Sequence, residues 1–482
     1  MRQHAHAPCH RIWTSERPGL EYCPIGREVG RMAGSRKSSF IIALFLAVAF
    51  PAASARSVEP KPAQPPDPAF EDPDDAAVEE GSAPILVSVT PGARALDPVA
   101  IPSAYCRSDA KVCSTVVDVI SRDLTLSGFF KPLDPVSFIA DMDRESLTST
   151  KWEDWFNVGA KYLIKASVEG AGKGNYTLSF RLYDVAQKKT IEVKYQEAAV
   201  GAKNVRMATH RFVNEVIRAI TGMPGPFGGR ILYAAKTGND TKGVFAMDVD
   251  GYGKSRIAAG ETINMLPSSV GGTVVYTSFA EGIPNIYVNG QKITRDGRAY
   301  RGARLSPNGK DLAVAADDGG QCEIFLMDLE GNIRANLTNH WADDLSPNWS
   351  PGGDSMAFVS NRSGGPQIWI MGADGSNPRR LTMAGYYNST PGGGAGGIVA
   401  FAGMDEEGHS DIFTVDLAGN INRVTQDQGN NKDPTVSPDG RHLAFVSNRD
   451  GRNRVYISTI DGRYQFPVTE KGGSYSTLFW AR

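Results

Sequence analysis

PNWSPGGDSMAFVSNRSGGPQIWIMGADGSNPRRLT, residues 347–382, is one period of a repeat that fills the second half of the chain. It holds a Ser350-Pro351-Gly352-Gly353 turn, a β-rich run MAFVS at 356, the pair Ile368-Trp369 and a closing Thr382. A branched aliphatic residue followed by an aromatic recurs at Val244-Phe245, Ile286-Tyr287, Ile324-Phe325, Ile412-Phe413 and Val455-Tyr456. Counted with Ile368-Trp369, the successive spacings are 42, 38, 44, 44 and 43 residues. Before each pair lies another strand-like run: ILYAA at 231, VVYTS at 274, LAVAA at 312, IVAFA at 398 and LAFVS at 443. Polar segments ending in Thr294, Thr338, Thr425 and Thr469 follow, and Ser-Pro-x-Gly turns recur at 306 and 437. Proline at fixed φ and glycine at permitted positive φ suit such turns.

Each unit therefore reads as four short strands. A lone four-stranded sheet cannot bury both faces, whereas sheets stacked radially bury each other's. The expected architecture is a six-bladed β-propeller over 223–482. The first repeat lacks a strand ahead of Gly229-Arg230-Ile231, and Ser476-Thr477-Leu478-Phe479-Trp480 follows the last one. The C-terminal segment is therefore expected to complete the first blade. Glycine usage agrees: 40 of the 52 glycines lie from Gly222 onward, where tight turns are needed.

Composition bounds the rest. The chain has 482 residues, 51 Lys plus Arg against 53 Asp plus Glu, and a formal net charge of −2. That balance supplies no field to draw the whole chain to nucleic acid. An apolar share of 41% and a charged share of 22% exclude both a polytopic membrane protein and a wholly disordered chain. FIIALFLAVAF at 40–50, with Arg36 and Lys37 ahead and Ala53-Ser54-Ala55 behind, has the form of a secretory signal spanning 32–55. It is shorter than the ~20 apolar residues a membrane span needs. Residues 1–31 do not fit that pattern and read as a mis-assigned upstream start. Residues 56–83 hold eight acidic residues, two basic ones and six prolines, and read as a flexible linker.

Between linker and repeats, 84–222 read as a small α/β domain, giving an α+β multidomain chain. Strands are expected at Ile85–Val89, Tyr162–Val168, Tyr176–Asp184 and Lys189–Glu197. Helices are expected from Thr115 to Phe130, closed by Gly128, and from about Lys203 to Ile220. His210 falls between core positions of the second helix, where a packing role is expected. Trp152 and Trp155 look like core or interface aromatics. Cys106 and Cys113 lie close in sequence, and in an oxidising compartment would be a disulfide candidate or else two small buried thiols.

No catalytic residues, cofactor or metal set stands out. No Gly-x-Ser-x-Gly occurs, and the histidines of the exported part, His210, His340, His409 and His442, are scattered. Asp248-x-Asp250-Gly251 is a fragment of a calcium loop without its later ligands, and a blade turn explains it better.

Several motifs resemble the TolB family, the periplasmic component of the Tol–Pal cell-envelope system. ILVSVTPGARALDPVAIP from Ile85, VISRDLTLSGFFKPLD from Val119, FRLYDV at Phe180 and MATHRFVNEVIRAITGMPGPFGGRIL at Met207 carry the resemblance, with WSPGG at 349 and VSPDG at 436. It covers about residues 84–482. The chain departs from the family pattern at Tyr386–Gly397, in the Cys106–Cys113 insertion and in the acidic linker.

The resemblance implies a monomeric, non-enzymatic periplasmic scaffold. Its N-terminal segment would engage TolA. Its propeller mouth would engage Pal, the peptidoglycan-associated lipoprotein, and other outer-membrane-associated proteins. Such a role supports outer-membrane integrity and envelope constriction at division. Independently, aromatic and Arg residues on loops entering the inner strands are the expected anchors of a partner. These candidates are Asn264, Met265, Tyr300, Arg301, Trp341, Asp344, Tyr386, Tyr387, Asn431, Lys432 and Tyr475. A glycan-binding or calcium-dependent propeller is the competing reading. Mass analysis of the exported protein should find no peptide from residues 1–31; one such peptide would refute the upstream-start reading.

Overall fold

The computed structural model describes residues 95–481, except 194, 196, 259 and 394–396. The expected strand Ile85–Val89, the signal and the linker lie outside the described residues. No described helix is long and apolar enough to cross a membrane.

The first part is a mixed sheet with helices on it. Strands Phe130–Pro132, Asp97–Ala100, Tyr162–Gly172, Asn175–Asp184 and Lys189–Ile191 follow one another across it. Tyr105–Arg107 also pairs with Tyr162–Gly172, and Glu197–Gly201 with Asn175–Asp184. Tyr162–Val168 is buried at every position. Alternate side chains explain this. Ile164, Ala166 and Val168 face the core shared with the two long helices. Leu163 faces a second cluster with Trp155 and Tyr183. The Lys173-Gly174 turn that joins the hairpin takes φ of 53° and 76°, the left-handed pair a two-residue hairpin favours.

Helix α1 is Ala110–Leu126, five residues earlier at its start than the apolar spacing suggests. The missed signal is Asp109, whose carboxylate accepts from Lys111 N at 2.8 Å and caps the helix. A short α2, Trp152–Asn157, covers the other sheet face. Helix α3 is Val205–Thr221, ended by Gly222 at φ 82°. Cys106 and Cys113 are bonded, tying the Tyr105–Arg107 strand to α1. The stretch expected as one strand, Lys189–Glu197, is two. Both pieces pair with Asn175–Asp184, at opposite ends. Between them Val193 and Tyr195 leave the ladder to pack on the core.

The second part is six four-stranded antiparallel sheets, a six-bladed propeller. In blades 2 to 6 the strands run from the channel outward in chain order. Blade 1 is different: its order is Ser255–Ala258, Lys242–Asp248, Arg230–Lys236 and then Ser476–Ala481. The C-terminal strand is thus the innermost strand of the first blade, pairing Trp480 with Ile231 and Phe479 with Leu232. The Ser-Pro turns are closed by Gly309 N to Ser306 O at 2.8 Å, Gly353 N to Ser350 O at 3.0 Å and Gly440 N to Ser437 O at 2.9 Å.

The α/β domain packs on blades 1 and 6, at the seam that the C-terminal strand closes. One core cluster holds Val116, Ile120 and Phe212 together with Met247, Ile457, Leu478 and Trp480. Leu478 and Trp480 are 3% and 4% exposed. Burying one such leucine alone stabilises by about 1.5–3 kcal/mol. Deleting Ser474–Arg482 removes both side chains and an inner ladder, so the melting temperature should drop sharply. An unchanged melting curve would refute closure from the C-terminus.

Candidate functional site

Six inner strands ring the channel, and all six share one irregularity. Their pairing slips within the first residues of the rim: between Met265 and Ser268, Tyr300 and Gly302, Leu345 and Asn348, Ser389 and Gly392, Lys432 and Thr435, and Ser476 and Phe479. Leu266, Ser346, Thr390, Asp433 and Thr477 sit there at φ between 50° and 56°, and Gly302 at 147°. A non-glycine residue in this region costs about 1 kcal/mol or more. Five of them around one channel make this a built feature rather than noise. The bulges also connect across blades: Thr477 Oγ1 accepts from Leu266 N at 3.2 Å, and Asp433 Oδ2 accepts from Thr477 N at 2.9 Å.

The rim residue just before each bulge is buried. Asn264 is 4% exposed, Tyr300 1%, Asp344 0%, Asn388 2%, Asn431 0% and Tyr475 7%. Five of these six are sequence candidates for partner contact, and they are not free loop side chains. The strand pleat turns them between blades, where their polar atoms are used. Asn431 Nδ2 donates to Asp411 Oδ1 at 3.0 Å, and Arg362 donates to Asp344 at 2.6 Å. Tyr300 donates to Asp296 at 2.9 Å, and Tyr475 packs on Tyr233 with ring centroids 5.3 Å apart. Asn264 Nδ2 donates to Lys242 O at 3.4 Å. Met265 is buried as well.

The remaining candidates reach solvent. Trp341 is 74% exposed and Tyr386 62%. Arg301 is exposed but held by Asp317, with Nε to Oδ1 at 2.5 Å and Nη2 to Oδ2 at 3.0 Å. Tyr387 and Lys432 are half-buried. Beside Tyr386 a cleft of about 750 Å³ is lined by Asn388, Glu406, His409, Phe413 and Arg423.

The repeat threonines have a role that spacing alone does not reveal. Thr425 Oγ1 accepts from Ile412 N at 2.9 Å and donates to Asp411 Oδ1 at 2.6 Å. Thr338 does the same with Ile324 N at 2.8 Å and Glu323 at 2.6 Å, and Thr382 with Ile368 N at 3.0 Å and Gln367 at 2.7 Å. The anchored polar side chain then reaches the next blade. Gln367 accepts from Asn388 at 2.8 Å, and Glu323 accepts from His340 N at 3.0 Å. The signal in the sequence was the polar residue ahead of five of the six aliphatic–aromatic pairs: Asn285, Glu323, Gln367, Asp411 and Arg454, with Gly243 ahead of the first.

A second cluster lies where the two domains meet. His210 of α3 and Asp123 of α1 are bonded, Nδ1 to Oδ2 at 2.6 Å, and are 2% and 0% exposed. His210 is therefore more than a packing residue. Asp250, in a turn of blade 1, is fully buried; its carboxylate pairs with Arg206 of α3 and lies 3.9 Å from His210 Nε2. The calcium-loop fragment is thus spent on the joint. Asp123, His210 and Asp250 stand close enough to share an ion. The Arg206 guanidinium already holds Asp250, and the His210 ring already holds Asp123, so the donors close on each other. Arg122 donates to Asp250 O at 3.3 Å and to Pro467 O at 3.1 Å. At the other end of the joint His442 Nε2 donates to Ser127 O at 2.9 Å, and Arg441 donates to Thr221 Oγ1 at 3.1 Å and Met223 O at 3.2 Å. Gly128, at φ 67°, lies so close that a Cβ would stand 2.4 Å from Thr459 Cγ2. All these propeller partners belong to the strand ends and turns remote from the rim.

Two family models match the chain: the TolB amino-terminal domain at residues 85–191 and the TolB beta propeller domain at 217–401. Together they take in more than half of it. The chain belongs to the TolB family. Tol-Pal system protein TolB of Anaeromyxobacter dehalogenans strain 2CP-C is 35% identical over 276 residues, 55% of this chain and 62% of its own length. The namesake from Anaeromyxobacter sp. strain K matches with the same identity and coverage. The chain thus spans less than two thirds of the curated relatives it matches. The crystal structure of TolB from Acinetobacter baumannii superposes with a TM-score of 0.69 at 23% identity, covering 80% of this chain and 97% of that one. That likeness is one of fold.

Replacing Thr425 by valine keeps the shape but leaves Ile412 N without its side-chain acceptor and takes from Asp411 one of its donors, Asn431 and Arg423 remaining. The expected cost is roughly 1–3 kcal/mol in denaturant unfolding. A change within error would show that the threonine does not fasten the blade.

Proposed function

We propose that this protein is a non-enzymatic scaffold of the Tol–Pal system, working in the periplasm. The observation that carries the reading is the division of the propeller's two ends. The α/β domain takes the turns at one end. The rim at the other end keeps Trp341 at 74% and Tyr386 at 62% exposure, beside the 750 Å³ cleft. Large aromatics held on a rigid rim are the side chains that anchor protein interfaces, because they bury much area at little entropic cost. The buried rim residues, Tyr300, Asp344 and Asn431 among them, serve by fixing the blades that present the loops.

The partner at this rim is the peptidoglycan-associated lipoprotein. The chain ahead of the α/β domain is the tether to TolA, and the whole links the inner-membrane Tol proteins to the outer membrane during constriction. The family of both domains and the names of the relatives support this assignment.

Calorimetric titration with the soluble domain of Pal from the same organism tests the reading. One-to-one saturable binding is expected. Trp341→Ala and Tyr386→Ala should each weaken it by about 1–2 kcal/mol, roughly 5- to 30-fold, with no change in melting temperature. Absent binding, or binding only to peptidoglycan itself, would overturn the Pal assignment in favour of a glycan-binding propeller.

A further inference from the structure

We infer that the joint between the α/β domain and the propeller is a proton-dependent clamp, centred on His210 and closed while the cluster around it carries a proton. Three facts of geometry lead there. The cluster is assembled from three elements of two domains: Asp123 from α1, Arg206 and His210 from α3, and Asp250 from blade 1. It is sealed, with His210, Asp123 and Asp250 at 2%, 0% and 0% exposure. Two carboxylates face one guanidinium and one ring, so its formal charges balance only when the cluster holds one proton on the His210–Asp123 pair.

Loss of the proton leaves a net negative charge in a site without water access. Such a site tolerates uncompensated charge poorly. Other charged groups facing the cluster do not replace the proton. Arg122 of α1 spends its guanidinium on two backbone carbonyls, Asp250 O and Pro467 O. Asp248, the next carboxylate of blade 1, adds negative charge and is faced by Arg230 at 3.6 Å. Arg206, besides holding Asp250, lies over the Tyr252 ring at 4.3 Å. Phe227 stacks on the His210 ring with centroids 6.5 Å apart and keeps that side dry. His210 Nε2 and Asp123 Oδ1 have no hydrogen-bond partner, so the ring's second N–H is held by the field of Asp250 alone.

The titration directions agree. Burial alone would drive the His210 pKa down, but the Asp123 carboxylate, by charge and hydrogen bond, and then Asp250 bring it above the usual histidine value. Burial pushes Asp123 up to about 6, against the pull of His210. Both folded values exceed the unfolded ones, so the native protein binds more protons than the unfolded chain. The stability this cluster contributes is therefore present in acid and is lost as pH rises through the folded values. The loss begins between the ordinary Asp value and pH 6 and continues above the ordinary His value near 6.5. The site of the loss is the seam where blades 1 and 6 meet the helices, so alkaline conditions should free the α/β domain before the blades.

The test uses the purified chain and His210→Gln, which fills the site but cannot become charged. The wild-type melting temperature should fall from pH 6 to 8.5. Hydrogen-exchange protection, taken relative to the intrinsic base-catalysed rate at each pH, should fall over the same range in residues 119–128 and 205–222, with protection of the central blades unchanged. In His210→Gln most of that pH dependence should vanish. His442, the other buried histidine of the joint, remains in the variant and serves as its control. An undiminished pH slope in His210→Gln would overturn the inference. If the variant does not fold, a ring-carbon NMR titration of His210 in the wild-type protein decides. A midpoint above 6.5 supports the clamp, and a ring that is neutral at pH 6 overturns it.

Discussion

A buried threonine at the outer edge of a blade fastens that blade's third strand, and the polar side chain it holds reaches into the next blade. Thr338, Thr382 and Thr425 each accept from the backbone of the third strand and donate to Glu323, Gln367 or Asp411. Those three then bind His340 N in the loop ahead of the following inner strand, or Asn388 and Asn431 at its start. The ring is therefore held not only by apolar faces but by a chain of satisfied polar contacts running around it. Left half-made, each would cost more than it gives. These contacts fix the entry to the inner strands of blades 4, 5 and 6.

Blade 1 does not carry the device, because Gly243 stands ahead of its Val244-Phe245 pair and offers no polar side chain; its inner strand also comes from the far end of the chain. Its closure rests on Ser476–Ala481 pairing with Arg230–Lys236 and on Leu478 and Trp480 in the core. The α/β domain sits across this same seam. A ring whose weakest point is the join of its two ends is thus covered by a second domain at that point. The cover is charged as well as apolar: Asp250, His210 and Asp123 are buried there, and Arg206 is half-buried beside them. Domain docking and ring closure are in this way one structural event.

The inner strands show how fold and site are joined. Each starts with a buried residue, continues into a left-handed bulge and ends in a core position. The bulge ends the pairing of the first residues and sets a new register for the rest. The rim is consequently rigid, and what projects from it, Trp341 and Tyr386 above all, projects from fixed points.

The sequence alone determined the number of blades, their period, the closure by the C-terminal strand and the two-domain order. All of these rest on periodicity and turn chemistry, which are local. It also marked the threonines and the rim residues as special, but not what they do. Whether Tyr300 or Asn431 meets solvent depends on which way the bulged strand turns it relative to its neighbour blade, and no spacing encodes that. The start of α1 was legible at Asp109 once the capping bond was looked for; the break between Ile191 and Glu197 was not, since both halves pair with one strand from another part of the chain. The Asp123–His210–Asp250 cluster lay furthest from view. Its members are 127 residues apart at the extremes and share no motif. Only the packing of the helices onto the propeller seam brings their charges together.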